Sequence, residues 1–130
     1  MPNLNLSLLE GRFAVLQLDP SSSIPVWALE DGFFTVSRTS EELSIVCLES
    51  NVPFNSDLKL ERDWACLKLQ GPFEFSLTGI LLSVLEPLAQ VNVGIFALST
   101  FNTDYVLVKA ERLERAIVAL EDAGHSVARG

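Results

Sequence analysis

Asp63-Trp64-Ala65-Cys66-Leu67-Lys68-Leu69 repeats, 51 residues on, the pattern of Arg12-Phe13-Ala14-Val15-Leu16-Gln17-Leu18. Each run carries an aromatic second, an alanine third and leucines fifth and seventh. Two further matches follow in the same order. Phe34-Thr35-Val36-Ser37 lies on Phe96-Ala97-Leu98-Ser99, and Leu43-Ser44-Ile45-Val46 lies on Tyr105-Val106-Leu107-Val108, both at an offset of 62. Matched blocks in a shared order mark an internal repeat. The two offsets leave 11 extra residues between the first and second strands of the second copy, room for a crossover helix. The first copy instead has Pro20, Ser21 to Ser23, Pro25 and Gly32 there, which are turn residues.

Working outward, Arg12 to Leu18, Phe33 to Ser37, Leu43 to Leu48 and Trp64 to Leu69 read as strands. Arg38 to Glu42 is a polar turn, and Gly71-Pro72 closes the last strand. The spacing of Leu77, Ile80, Leu81, Val84, Leu85, Leu88 and Val91 predicts a helix from Ser76 to Val91. Ser76 or Thr78 can cap it, Pro87 interrupts its hydrogen-bond ladder and should kink it, and Asn92 suits a left-handed stop. Val93 to Ser99 and Tyr105 to Ala110 form a second hairpin. Glu111 to Ala123 is a helix with Leu113, Ala116, Ile117 and Leu120 as its apolar stripe and Gly124 as its terminator. His125 to Ala128 is a short final strand. The second copy therefore reads strand, helix, strand, strand, helix, strand, the α+β ferredoxin-like βαββαβ arrangement. In the first copy the first helix is shortened and Ser50 to Lys59 replaces the second. The expected organisation is a degenerate N-terminal repeat over residues 1–60 and a full domain over 61–130.

Composition narrows the function. With 130 residues, 48% apolar and 20% charged, the chain can bury a core without a disulfide or metal staple. Nine Lys and Arg against 17 Asp and Glu give a net charge of −8, which excludes phosphate-backbone and anionic-membrane binding as expectations. No apolar run reaches the length of a membrane span. Met1-Pro2-Asn3-Leu4-Asn5-Leu6 lacks the basic and small-residue features of a signal peptide, so we expect a cytosolic protein with Cys47 and Cys66 reduced. One histidine and two cysteines fit no metal-ligand spacing, so no metal is expected. No glycine-rich nucleotide motif occurs, and no cofactor is expected. His125, beside Gly124, reads as a structural histidine stabilised by a helix end. Cys66 aligns with Val15, which makes it a small buried residue.

The second half resembles the ACT domain, a small amino-acid-binding regulatory module. The segments that carry the likeness are Trp64-Ala65-Cys66-Leu67-Lys68-Leu69-Gln70-Gly71-Pro72, Thr78-Gly79-Ile80, and Phe96-Ala97-Leu98-Ser99-Thr100-Phe101-Asn102-Thr103-Asp104-Tyr105-Val106-Leu107-Val108. The whole chain is similar to small stand-alone tandem-ACT proteins of bacteria, to aspartate kinase regulatory domains and to the cytosolic arginine sensors of animals. Asn92 stands where the family usually has Gly, a change the left-handed conformation tolerates. The resemblance implies a free amino acid bound at domain or subunit interfaces. It also implies assembly into a homodimer or higher homo-oligomer. It does not name the amino acid.

Residue chemistry supplies a site consistent with that. The N–H groups at the start of the first helix, around Leu77 to Ile80, make an anion-binding end, and Gly79 lets a ligand approach the backbone. Thr78 can add its hydroxyl. Asp104 can accept from a ligand ammonium or guanidinium, Asn102 and Thr103 can bond the ligand, and Phe101 can cover it or pack on a partner. The candidate ligand-binding residues are thus Thr78, Gly79, Ile80, Phe101, Asn102, Thr103 and Asp104. The same residues also serve as helix cap, packing glycine and turn residues. The leading reading is a non-catalytic amino-acid sensor. The alternative is a ligand-free ACT-like module for oligomerisation or docking to an unidentified protein partner. A third reading is an enzyme using carboxylates on this scaffold.

Overall fold

The computed structural model describes residues 3–54, 57–74 and 78–129. In chain order the strands are β1 (Asn5–Leu8), β2 (Phe13–Leu18), β3 (Thr35–Arg38), β4 (Leu43–Leu48), β5 (Lys59–Leu69), β6 (Phe96–Ser99), β7 (Asp104–Lys109) and β8 (Ser126–Ala128). Two α-helices, α1 (Ile80–Gln90) and α2 (Leu113–Asp122), and three short 3-10 turns complete the described elements. The chain forms two compact units, Gly11–Trp64 and the pair of segments Met1–Glu10 and Ala65–Gly130. These units do not follow the repeat boundary drawn between residues 60 and 61, because the first ten residues belong with the second unit.

In the unit Gly11–Trp64, β2 pairs antiparallel with β4 from Phe13↔Leu48 to Leu18↔Leu43, and β4 pairs with β3. The other edge of β2 takes the first part of β5, with Val15↔Glu61 and Gln17↔Lys59. That strand begins at Lys59 rather than Trp64. Glu61, Arg62 and Asp63 are exposed, so no apolar run announces it. The register shifts between Phe13 and Val15, a bulge opposite Asp63, whose φ is 63°. Ala14, Leu16, Ala28, Leu43, Ile45, Cys47 and Val52 form this unit's core.

The second unit has the connectivity β5-α1-β6-β7-α2-β8, with β7 between β5 and β6. One strand was not legible in advance. β1 lies between β5 and β8, antiparallel to the first (Leu6↔Leu69) and parallel to the second (Leu6↔Val127). Leu4, Leu6, Leu67, Leu69, Val106 and Val108 bury one sheet face against Val84 and Leu88 of α1 and the stripe Leu113, Ala116, Ile117 and Leu120 of α2. Burying each large aliphatic contributes about 1.5–3 kcal/mol.

Both helices stop as their sequences require. Asn92 (φ 59°) and Gly124 (φ 100°) are left-handed. Val93 N–H reaches Leu88 C=O while Asn92 N–H reaches Ala89 C=O; His125 and Gly124 repeat this with Leu120 and Glu121. Each is a paired 6→1 and 5→2 closure of the last turn. The starts differ from expectation. α1 begins at Ile80, and Gly79 (φ 78°) precedes it with no side-chain cap; Ser76 and Leu77 lie outside the described residues. The helix runs through Pro87. Residues Ala110–Arg112 form a 3-10 turn ahead of α2.

The hairpins correct the repeat alignment. β3–β4 closes at Arg38↔Leu43 and β6–β7 at Ser99↔Asp104, so the offset is 61, not 62. At 61 the 3-10 turns Glu49–Asn51 and Ala110–Arg112 also coincide. Among the described residues, the second helix of the first copy is reduced to this one turn. With 51 as the earlier offset, the insertion in the second copy is ten residues rather than 11.

Candidate functional site

Four residues, Thr100 to Thr103, join β6 to β7. Thr100 fixes their shape: its N–H donates to Thr103 C=O at 2.8 Å, and its Oγ1 accepts from Thr103 N–H at 3.4 Å. Thr103 then anchors the tip to the sheet, because its buried Oγ1 donates to Leu69 C=O at 2.6 Å. On the neighbouring loop, Phe73 N–H donates to Asn102 C=O at 2.8 Å. The Gly71-Pro72 peptide is cis, and a Cβ on Gly71 would stand 2.9 Å from that same Asn102 oxygen. The loop after β5 and the hairpin tip are therefore tied together by backbone, and only glycine fits at their crossing.

Between them lies a hollow of about 210 Å³, lined by Phe73, Glu74, Ile80, Ser99, Thr100, Phe101, Asn102, Thr103 and Asp104. Asp104 Oδ1 accepts from Ser99 Oγ at 2.5 Å, so the carboxylate is held by the opposite strand rather than by its own backbone. Ile80 is the first residue of α1, which brings the helix start to the wall. N–H groups of a first helical turn have no acceptor further back in the helix and favour anions. A second hollow of about 350 Å³, lined by Lys68, Gln70, Gly71, Pro72 and Tyr105, shares the tip residues Thr100 to Thr103. Phe101 borders both and is 79% exposed.

Five of the seven residues singled out from the sequence, Ile80 and Phe101 to Asp104, thus line one hollow. Thr78 and Gly79 do not; they precede Ile80, and a Cβ on Gly79 would meet open space. Phe73, Glu74, Ser99 and Thr100 were missed.

Among the described residues no group of three His, Cys, Asp or Glu is placed to hold a metal. Cys47 and Cys66 are buried and not disulfide-bonded, and burial pushes their thiols up to about 11 and about 12. His125 is buried between β1 and α1, accepting from Leu4 N–H at Nδ1 (3.0 Å) and facing Ser83 C=O with Nε2 (2.8 Å). Its role is structural, through two buried bonds rather than a helix end.

The family model of the ACT domain matches residues 59–122, and the model of a separate N-terminal domain matches residues 11–55. The chain carries an ACT domain. Over 141 aligned residues it is 31% identical to the rat cytosolic arginine sensor for mTORC1 subunit 1, covering 86% of this chain and 43% of that protein. The chain thus spans less than half the length of that curated relative. A crystal structure of an Agobacterium tumefaciens protein matches with TM-score 0.93 at 42% identity, covering 100% of this chain and 96% of the other. The ligand-free regulatory subunit of aspartate kinase from Thermus thermophilus matches with TM-score 0.64 at 15% identity, covering 91% and 95%. That last likeness shows the shared ferredoxin-like α+β fold. The rat relative is named as a sensor and the Thermus protein as a regulatory subunit. No helix among the described residues is long and apolar enough to cross a membrane.

Proposed function

We propose that this chain is a non-catalytic regulatory protein that senses a free amino acid at its ACT domain. The hollow between Phe73-Glu74 and Ser99 to Asp104 carries this reading. At about 210 Å³ it is smaller than the roughly 300–1,000 Å³ of drug-sized ligand sites, and it suits a small metabolite. An amino acid needs separate answers for its two charges. The N–H groups of the first turn of α1 answer the carboxylate, and the Asp104 carboxylate, oriented by Ser99, answers the ammonium. Thr78 and Gly79 flank the carboxylate end. Phe101, exposed at the tip, covers the ligand when a second copy or subunit closes over it, which makes a homodimer or higher homo-oligomer the working form. Likeness to the arginine sensor supports an amino acid as the ligand class. Two buried thiols suit a reducing compartment.

A thermal-shift screen of the twenty amino acids on wild type and Asp104→Asn tests this. Ligand at 100 times its Kd should add about 2.7 kcal/mol of stability, read as several degrees of Tm. A stabilising amino acid whose effect disappears in Asp104→Asn is expected. Silence from all twenty overturns the reading. The exposed Phe101 would then favour the second one, a ligand-free docking and oligomerisation module, in which Phe101→Ala dissociates the oligomer.

A further inference from the structure

The two hairpin tips are built alike. Thr39 N–H donates to Glu42 C=O at 2.9 Å and Thr39 Oγ1 accepts from Glu42 N–H at 3.1 Å, the same bonds that Thr100 makes with Thr103. In this register Arg38 stands where the second repeat has Ser99, and Leu43 where it has Asp104. The loops after β2 and β5 align at the earlier offset, Pro20 with Gly71 and Ser22 with Phe73. In the second repeat this loop and this hairpin leave the hollow between Phe73 and Ser99 open. In the first repeat Arg38 crosses the same gap. Its Nη1 donates to Pro20 C=O and its Nη2 to Ser22 C=O at 2.8 Å.

The loop is shaped to present those two carbonyls. Asp19 accepts from the Ser21 N–H at 3.0 Å and from its Oγ at 2.7 Å, and Ser22 N–H closes the turn onto Asp19 C=O at 2.9 Å. Two carbonyls spaced to meet two nitrogens of one guanidinium select its planar fork over a point-charge ammonium. Asp19, Glu41 and Asp57, with Lys59 as the one cation, line a hollow alongside, of about 540 Å³, that also touches Pro20 and Ser22. It gives solvent access, and its three carboxylates outnumber its one ammonium.

We infer that the first repeat retains a seat for a guanidinium group, formed by the Pro20 and Ser22 carbonyls, which the chain's own Arg38 fills. The seat is closed to outside molecules while Arg38 is present and takes a small guanidinium compound when it is removed. Its consequence, one open ligand site per chain rather than two, rests on the function proposed for the second-repeat hollow; the seat itself does not.

The test is chemical rescue of Arg38→Ala by millimolar methylguanidinium chloride, with sodium chloride and methylammonium chloride at equal ionic strength as controls. Arg38→Ala should melt below wild type and regain a few degrees, saturably, with methylguanidinium alone, while wild type does not move. Arg38→Lys, which keeps the charge but loses the fork, should show the same rescue and serves if the alanine variant does not fold. The rescue should persist in Arg38→Ala/Asp104→Asn, so silence in the amino-acid screen leaves it standing. Equal responses to the three salts, an equal rise in wild type, or loss of the rescue in the double variant overturns the inference.

Discussion

His125 Nε2 lies 2.8 Å from the carbonyl oxygen of Ser83, the acceptor that Pro87 deprives of its helical donor. Pro87 is four residues on from Ser83 and has no N–H. The imidazole supplies the missing proton. Because Nδ1 accepts from Leu4 N–H, the ring must carry its proton on Nε2, and one side chain satisfies two buried backbone groups. His125→Leu should therefore destabilise the fold by about 2–4 kcal/mol, as two buried groups lose their partners. In a Pro87→Ala background, where residue 87 can donate to Ser83, the same substitution should cost about half as much. A double-mutant cycle in urea measures the coupling, and strict additivity would separate His125 from Pro87.

Thr103 holds the hairpin tip to Leu69 through a buried hydroxyl bond of 2.6 Å. Thr103→Val keeps the shape, removes the donor and leaves Leu69 C=O short of a partner. A loss of about 1–2 kcal/mol is expected in urea unfolding. An unchanged midpoint would mean the tip is held by its backbone bonds alone.

Gly71→Ala tests the crossing of the loop and the hairpin. The new Cβ would meet the Asn102 oxygen at 2.9 Å and the Thr103 Cβ at 3.1 Å. Two backbones must separate to admit it, so we expect about 1–3 kcal/mol of destabilisation. Amide shifts in an NMR spectrum should concentrate at 99–104. Shifts spread evenly over the chain would contradict this.

Cys47 and Cys66 have thiols raised by burial from 9.0 to about 11 and about 12. The folded values lie above the unfolded one, so their contribution is intact below pH about 9 and is lost as pH rises through the folded values. Stability should fall from about pH 9 upward, and less so in a Cys47→Ala/Cys66→Ala pair. Native protein at pH 8 should resist a thiol reagent until denaturant is added. Rapid modification of both thiols without denaturant would show that the sites open.

Asp19 titrates below the usual carboxylate range because Ser21 donates its backbone N–H and hydroxyl to it. Its contribution is present above the ordinary value and fades as pH falls through the depressed one. Ser21→Ala should raise the Asp19 pKa in a carbon-detected NMR titration. An unmoved value would assign the shift to the backbone donor alone.

The repeat alignment shows where sequence reading stops. Matching Phe34 to Phe96 aligned two aromatics but misplaced the hairpins by one residue. In a strand one residue is a change of face. Backbone bonds of Thr39 and Thr100 set the true register, and they form only in the folded chain. β1 was missed because four residues of alternating pattern are too few to announce a strand, and the first half of β5, Lys59 to Asp63, because it is charged. In the candidate site, the tip Phe101 to Asp104 stands out in the sequence by its residue types. Phe73 and Glu74 do not, since an irregular loop has no period to read.

The sequence alone determined the local devices: the apolar stripe of α2, the left-handed stops at Asn92 and Gly124, the two hairpins and the ACT-like plan of the second half. These follow from chain sterics and from periodicities that neighbouring residues share. Tertiary structure decided what depends on distant partners. It placed β1 between β5 and β8, gave Ser83 a donor 42 residues away in His125, and let Arg38 bridge one gap while Ser99, too short to reach, leaves its counterpart open. Such contacts are fixed by packing between segments far apart in the chain, and no local pattern encodes them.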